Sequence, residues 1–128
     1  MAGVDAAYLS RALLKAALMN DYSKEQFVYL TTTGRKTGLA REIEIWFVER
    51  EGHLYILAEH GYKAHWVRNV VANPSVTIRL AKRRWIAGGR VLDPDTELYA
   101  EVRELARQKY GWGDGLPVEF RFGQEIKD

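Results

Sequence analysis

The feature that most constrains the fold is a series of short segments in which apolar and polar residues alternate. Residues 27–33, 41–49 and 53–58 follow one another, and residues 75–81 and 84–92 form a second pair across the turn Lys82-Arg83. Alternation with a period of two gives a strand one apolar face. Because Glu51-Gly52 and Lys82-Arg83 are short connections of the hairpin type, the pattern predicts an antiparallel sheet. A sixth strand is predicted at residues 117–122.

Three helices are predicted around these strands. Residues 5–19 are rich in Ala and Leu and carry one apolar stripe, while residues 96–110 follow the helix-start signal Asp93-Pro94. The segment 63–72 is helical in pattern and ends at Asn73-Pro74. In it, Trp66, Val70 and Val71 are predicted to share one face, with His65, Arg68 and Asn69 on the neighbouring face. Together the elements predict a mainly β protein, a small antiparallel barrel with helices packed outside it.

Composition narrows the functional class. The chain has 128 residues, which predicts one domain over 1–128, and its 19 Lys plus Arg against 17 Asp plus Glu leave a net charge of only +2. Such a balance argues against a nucleic-acid partner. The absence of Cys excludes disulfides, zinc–thiolate sites and cysteine nucleophiles. No signal-peptide pattern or long apolar run stands out, so a cytoplasmic protein without stable membrane insertion is expected.

Residues 31–41, TTTGRKTGLAR, have the composition of an anion-binding turn. Gly34 and Gly38 bracket Arg35, Lys36 and Thr37, and Arg41 follows. Glycine lets backbone N–H groups converge on a ligand, and the flanking cations and hydroxyl suit phosphate or carboxylate oxygens. A plain hairpin turn made soluble by its charges is the alternative, and the segment alone does not separate the two.

Other residues that could form a functional site indicate one less clearly. Trp46 and Trp66 could line a pocket, although filling the core is the commoner role of a tryptophan. The histidines do not have the spacing of metal ligands, and no metal site is predicted. No Gly-x-Ser-x-Gly elbow is present, so nucleophilic hydrolysis has no support. The basic-aromatic cluster Lys82 to Trp85 is interpreted as a charged hairpin tip.

The segment 31–41 and the segment HWVRNVVANPSVTIRL at 65–80, with a hairpin between them, together resemble the deazaflavin (F420)-dependent nitroreductase and quinone reductase family. This family belongs to the FMN-binding split β-barrel, or pyridoxamine phosphate oxidase-like, superfamily. The resemblance covers roughly residues 27–92. It implies a six-stranded Greek-key split barrel with N- and C-terminal helices outside, coenzyme F420 as cofactor, and a homodimer.

The resemblance also assigns site residues. Arg35, Lys36, Thr37 and Arg41 would hold the phosphate and oligoglutamate tail of F420. Backbone groups around Ile43 to Trp46 and around Ala58 to Gly61 would lie against its ring, and Trp66 and Asn69 would contact the tail side of the pocket. Tyr62 and Tyr110 are weak candidates for supplying a proton, and no catalytic residue is otherwise identified. The implied cofactor-binding set is Thr33, Gly34, Arg35, Lys36, Thr37, Arg41, Ile43, Ile45, Ala58, Glu59, His65, Trp66 and Asn69.

The expected activity is hydride transfer from reduced F420 to an organic acceptor such as a quinone or nitro compound. Glu44 and Glu59 depart from the family pattern, and as carboxylates near the ring they would disfavour an anionic reduced flavin. FMN and haem stay open as cofactors of the same barrel. An FMN-dependent oxidoreductase and a non-enzymatic carrier or sensor of a tailed anionic cofactor are the alternative functions.

Overall fold

The computed structural model describes residues 22 and 24–127, so the helix predicted at 5–19 lies outside the described residues. Seven strands and two helices make up this part of the chain. A single 3₁₀ turn, Gly61–Lys63, precedes the first helix. The strands are β1 Phe27–Thr33, β2 Ala40–Trp46, β3 Val48–Arg50, β4 His53–Ala58, β5 Ser75–Leu80, β6 Arg83–Val91 and β7 Leu116–Ile126, and the helices are α1 His65–Ala72 and α2 Glu97–Tyr110.

All strands pair antiparallel in one sheet of order β2-β1-β5-β6-β7-β4-β3. β2 and β3 are consecutive in the chain yet occupy opposite ends of this order. The sheet must therefore curl into a half-barrel, which confirms the predicted mainly β fold. Among the described strands, β2 pairs only with β1 and β3 only with β4. The barrel is thus open at the free edge of β2, and across this opening β2 faces β4, whose first residues pair with the short strand β3. We call this opening the split between β2 and β4.

The strand count corrects the prediction of six strands. The segment 41–49 was predicted as one strand, but it bends at Phe47 into β2 and β3. Phe47 and Val48 are both buried, at 1% and 4% exposure, which a straight strand with one apolar face cannot arrange. The bend sends Phe47 into the half-barrel and Val48 to the opposite face. β7 is also longer than the predicted 117–122.

Two hydrophobic clusters lie on the two faces of the sheet. The larger fills the half-barrel and includes Leu30, Ile56, Ile78 and Phe120. The smaller lies on the outer face of the sheet, where Tyr55, Leu57 and Val48 pack against Val102 and Ala106 of α2. The C-terminal helix therefore packs outside the barrel, as predicted, and β4 is buried on both faces.

Helix α1 packs against the core of the half-barrel with a face that matches the predicted one only in part: Val70 is buried and Trp66 packs on the core, as predicted. Its buried residues are Val67, Asn69 and Val70, whereas Val71 is 59% exposed. The close approach depends on Gly89 of β6, because a Cβ there would lie 2.8 Å from Cγ1 of Val70. Burial of the polar Asn69 follows from its contacts with the β1–β2 loop.

Candidate functional site

The β1–β2 loop, residues 34–39, is a compact turn that requires both of its glycines. Gly38 N–H donates to the carbonyl of Gly34 at 2.8 Å, and Gly34 N–H donates to the carbonyl of Leu39 at 2.8 Å. Gly38 has φ of 72°, a conformation that side chains disfavour. At Gly34, a Cβ would lie only 2.7 Å from Oγ1 of Thr37. The loop thus has a defined shape rather than being a loose surface turn.

The amide of Asn69 ties this loop to α1. Its Oδ1 accepts from the backbone N–H of Arg35 at 3.1 Å and from Nη1 of Arg35 at 2.9 Å. Its Nδ2 donates to Oγ1 of Thr32 at 3.1 Å. Asn69 and Thr32 are 4% and 2% exposed, so the bond between them forms away from water, where an unpaired polar group is costly. Asn69 therefore acts as the link between strand, loop and helix.

The cations of the loop and of the start of β2 have two different roles. The guanidinium of Arg35 is engaged by the protein, since Nη2 lies 3.2 Å from Nδ1 of His65 and Nη1 donates to the carbonyl of His65 at 3.4 Å. Lys36 and Arg41 are exposed, and no protein partner holds their charged groups within the part of the chain that the structure describes. Lys36 and Arg41 are thus the cations available to a ligand.

These residues surround a cleft of about 390 Å³, here called the basic cleft. Its walls combine hydroxyl, amide and cationic groups with the ring of Trp66. This donor set is what a phosphate or an oligocarboxylate requires. The lining residues are Thr32, Gly34, Arg35, Lys36, Thr37, Arg41, Ile43, His65, Trp66 and Asn69.

A second cleft of about 610 Å³, the aromatic cleft, lies in the split between β2 and β4. Trp66 belongs to the walls of both clefts, so we treat the two as one groove. Four aromatic rings give the second cleft flat apolar walls, which suits a planar ligand. Its lining residues are Phe27, Glu44, Ile45, Trp46, Leu57, Glu59, His60, Ala64, Trp66 and Trp112.

The aromatic cleft is bordered by backbone as well as by rings. Within the described residues the second edge of β2 has no strand partner, and this edge faces the split. Backbone N–H and C=O groups of an unpaired edge are available to hydrogen-bond whatever lies beside them. The segment from Ile43 to Trp46 can therefore bind the polar edge of a ring system.

The two clefts differ in charge. Lys36 and Arg41 line the basic cleft, whereas Glu44 and Glu59 line the aromatic cleft. Glu44 accepts a 2.5 Å hydrogen bond from the hydroxyl of Tyr29, and this bond raises the pKa of Tyr29. Glu59 is largely exposed, with Nε2 of His60 at 3.9 Å. The groove is thus positive at one end and negative at the other.

The structure places most of the implied site residues along this groove. Thr33 and Ala58 are the exceptions. Side chains alternate along β1, so Thr32 faces the basic cleft and Thr33 does not, and Ala58 is buried in the core at 1% exposure. The residues that do line the groove are Gly34, Arg35, Lys36, Thr37, Arg41, Ile43, Ile45, Glu59, His65, Trp66 and Asn69.

Neither candidate proton donor lines the groove. The hydroxyl of Tyr110 accepts from Phe47 N–H at 3.1 Å and donates to the carbonyl oxygen of Phe47, and burial raises its pKa to about 12. Its ring stacks on Trp46 with centroids 4.5 Å apart. Tyr62 is 59% exposed on the 3₁₀ turn. Tyr110 therefore has a structural role at the strand bend.

Sequence reasoning missed Thr32, Phe27, Leu57, Ala64 and Trp112. A signal for Trp112 was present in the segment GWGDG, where a large aromatic stands between glycines directly after a helix. The structure explains the spacing, because a Cβ on Gly115 would lie 2.7 Å from the Trp112 ring and 2.9 Å from the carbonyl of Ala58. Gly115 lets the loop carry Trp112 to the aromatic cleft.

Within residues 22 and 24–127, no group of three or more His, Cys, Asp or Glu side chains is arranged to hold a metal ion. None of the helices described is both long and apolar enough to span a bilayer.

A curled antiparallel half-barrel with a basic loop and an aromatic slot in its split defines the class of split-barrel cofactor-binding proteins. The sequence profile of the F420H(2)-dependent quinone reductase family matches residues 11–113, and the chain belongs to this family. This confirms the resemblance inferred from residues 31–41 and 65–80. Family membership supports F420-dependent oxidoreduction. Comparison with curated protein sequences gives no significant match.

Solved structures agree with the fold. An F420-H2 dependent reductase (FDR-A) is 26% identical with a TM-score of 0.62, and the match covers 77% of this chain and 95% of that one. The haem storage protein HutZ from Vibrio cholerae is 19% identical with a TM-score of 0.69, covering 84% and 89%. A pyridoxamine 5'-phosphate oxidase homologue from Listeria innocua is 13% identical with a TM-score of 0.71, covering 88% and 96%.

Proposed function

We propose that this protein transfers a hydride from reduced F420 to a small organic acceptor, a quinone or a nitro compound. The observation that carries the proposal is the division of one groove into a basic cleft and an aromatic cleft. F420 has the matching division, since an 8-hydroxy-5-deazaflavin ring is joined to a phosphate and an oligoglutamate tail. The family of the chain supports the same cofactor.

The residues present fit such a ligand. Lys36 and Arg41, with the hydroxyl of Thr37, would bind the phosphate and carboxylates of the tail. Arg35 would support them indirectly, because its contacts with Asn69 and His65 fix the loop in place. Ligand oxygens would thus meet a preformed set of donors, which lowers the entropic cost of binding.

The ring portion would lie in the split between β2 and β4. The rings of Trp46, Trp66 and Trp112 would cover its faces, and the free backbone edge of β2 would meet its polar edge. When bound, the deazaflavin supplies the hydride. The protein contributes the position of the ring, the exclusion of water and space for an acceptor beside the exposed Trp46.

The acceptor, the homodimer and the cytoplasmic location stay predictions from the sequence. The aromatic walls of the cleft are partly exposed, and covering exposed apolar area is favourable, which is consistent with a flat organic acceptor. FMN as the cofactor, and a carrier or sensor without turnover, are the competing functions, and the following experiment separates them.

The test is titration of the purified protein with F420 and with FMN, followed by oxidation of reduced F420 in the presence of menadione. We expect tight F420 binding and menadione-dependent oxidation. The double variant Lys36→Gln/Arg41→Gln should weaken F420 binding by about 100-fold, since each lost charge-assisted contact is worth about 1.5 kcal/mol and about 1.4 kcal/mol corresponds to a tenfold change.

The matched control is Lys82→Gln/Arg107→Gln, which removes one Lys and one Arg from exposed positions outside the groove. It should bind F420 like the native protein. Undiminished affinity in the Lys36/Arg41 variant would contradict the anion-binding role. Tighter binding of FMN would favour the flavoprotein, and binding without menadione reduction would favour the carrier.

A further inference from the structure

Glu119, on the outer face of β7, is a buried carboxylate with a complete set of partners. Its Oε2 accepts from the hydroxyl of Tyr55 at 2.9 Å, while Oε1 accepts from Nε of Arg90 at 2.8 Å and from Nε of Arg121 at 2.9 Å. Burial alone would raise the pKa of Glu119, but the hydrogen bonds from Arg90, Arg121 and Tyr55 outweigh it and lower the pKa to about 2. The group is therefore a carboxylate.

The cluster of Glu119, Arg90 and Arg121 carries a net positive charge. Two guanidinium groups face one carboxylate, and both use only Nε to reach it. Across the residues that the structure describes, the Nη groups of Arg90 and Arg121 have no protein partner, and the two side chains are 59% and 61% exposed. A buried carboxylate would be neutralised by a single arginine, so the second leaves an uncompensated charge at the surface.

The two arginines border a groove of about 310 Å³, here called the β6–β7 groove. Gly88 pairs with Arg121 and Arg90 with Glu119, which puts the arginines diagonally across the two strands. Gly88 leaves the floor open, because a Cβ there would meet nothing within 4 Å. Its neighbour Gly89 faces the opposite side of the sheet, toward Val70 of α1. The β6–β7 groove shares no lining residue with the basic or aromatic cleft.

We propose that the β6–β7 groove is a second anion site, which binds a compact dianionic oxyanion, a phosphate group or a small dicarboxylate, between Arg90 and Arg121. Glu119 positions both guanidinium groups by their Nε atoms and leaves their outer N–H groups for the ligand. A planar guanidinium binds such oxyanions with paired hydrogen bonds, and a preset orientation reduces the ordering cost. Both oxygens of Glu119 are already covered by donors, which limits their repulsion of an incoming anion.

The test is a titration of ¹⁵N-labelled protein with inorganic phosphate, with malonate and with chloride at matched ionic strength, followed through the amide resonances of Gly88 and Gly89. We expect saturable shifts with phosphate or malonate and none with chloride. The tighter of the two ligands identifies the phosphate or the dicarboxylate as the preferred chemistry. Gly34 and Gly38 report binding in the basic cleft separately in the same spectra.

A variant that fills the groove sharpens the test. Gly88→Glu places a carboxylate between the arginines and leaves the contacts of Glu119 in place, so the phosphate-induced shift at Gly89 should disappear. Gly88→Ala, the control, should retain it. Equal shifts with chloride, a linear response without saturation, or an unchanged response in Gly88→Glu would each overturn the proposal. The titration of the native protein decides by itself if Gly88→Glu does not fold.

Discussion

At the scale of single residues, Glu119 and Asn69 show how a buried polar group fixes its neighbours. Each is almost fully enclosed, and each has every oxygen paired with a donor from another element. Asn69 holds the β1–β2 loop, and Glu119 holds two arginines. Leaving such donors without a partner costs more than the hydrogen bond itself contributes, so these residues specify geometry as well as stability.

Glu119 gives a prediction about pH. Its folded-state pKa of about 2 lies below the ordinary 4.5, so its ionised form is stabilised by folding. This contribution is complete above the unfolded pKa and is lost as pH falls through the folded one. Glu119→Gln should lower the unfolding free energy by about 2–3 kcal/mol at neutral pH. The deficit should shrink as the pH falls from about 4.5 toward about 2.

The measurement is urea unfolding of both proteins across this pH range. Glu104→Gln, an exposed residue of α2, is the control and should follow the native curve closely. A deficit for Glu119→Gln that stayed constant down to pH of about 2 would show that the carboxylate charge is not the source of the effect.

At the scale of elements, the bend between β2 and β3 is held by the end of α2. The Tyr110 hydroxyl bonds the backbone of Phe47. Nζ of Lys109 donates to the Phe47 carbonyl at 3.1 Å and to the carbonyl of Glu25 at 2.7 Å, and burial lowers its pKa. Because the bend carries β2 away from β4, these contacts also set the width of the split.

Tyr110→Phe tests this role. The substitution keeps a ring that can stack on Trp46 but removes the partner of the buried Phe47 N–H. We expect a loss of about 1–3 kcal/mol in unfolding free energy and faster hydrogen exchange at the Phe47 amide. Tyr62→Phe, on the exposed 3₁₀ turn, should change neither quantity. Full stability with lost turnover in Tyr110→Phe would instead restore Tyr110 as a proton donor.

The elements were predictable where local pattern decides them. β1 and β4 have the predicted bounds 27–33 and 53–58, since their turns and alternation are local signals. The break at Phe47 was not predictable, because the apolar run at residues 45–48 also fits a continuous buried strand and the partner of Phe47, Tyr110, is 63 residues away. The prediction for α1 was right for Trp66 and Val70 and wrong for Val71 and Asn69. Burial of Asn69 depends on its contact with a loop 34 residues earlier in the chain.

At the scale of the whole molecule, the small net charge conceals a separation of positive and negative side chains along the groove. Only the position of each charge, not the total, can orient a ligand. The basic cleft was predictable from the sequence, because its cations and glycines lie together in residues 34–41. The aromatic cleft was not predictable in this way, since Phe27, Leu57 and Trp112 come from three distant segments that only the curled sheet brings together.

The negatively charged end of the groove, at Glu44 and Glu59, gives a prediction that depends on the proposed function. Glu59→Gln should raise kcat/KM for a sulfonated, anionic naphthoquinone by about 1.5- to 5-fold, the range for an exposed charge contact, and leave neutral menadione unchanged. The gain should fade above about 0.1 M salt, because screening by salt then limits charge–charge interactions to about 10 Å or less. Steady-state kinetics with both acceptors and Glu104→Gln as control measure it. An equal gain for menadione would exclude a charge effect.

The open edge of β2 has a consequence for self-association. A strand whose backbone stays free to receive a small molecule is also a template onto which another polypeptide can add, the first step of intermolecular β-sheet growth. Arg41, Glu42 and Glu44 place exposed charges along this strand, and Glu42 pairs with Arg79 at 3.3 Å. Charged edge strands oppose strand addition. The same charges therefore protect the protein from aggregation whenever the split is free of ligand.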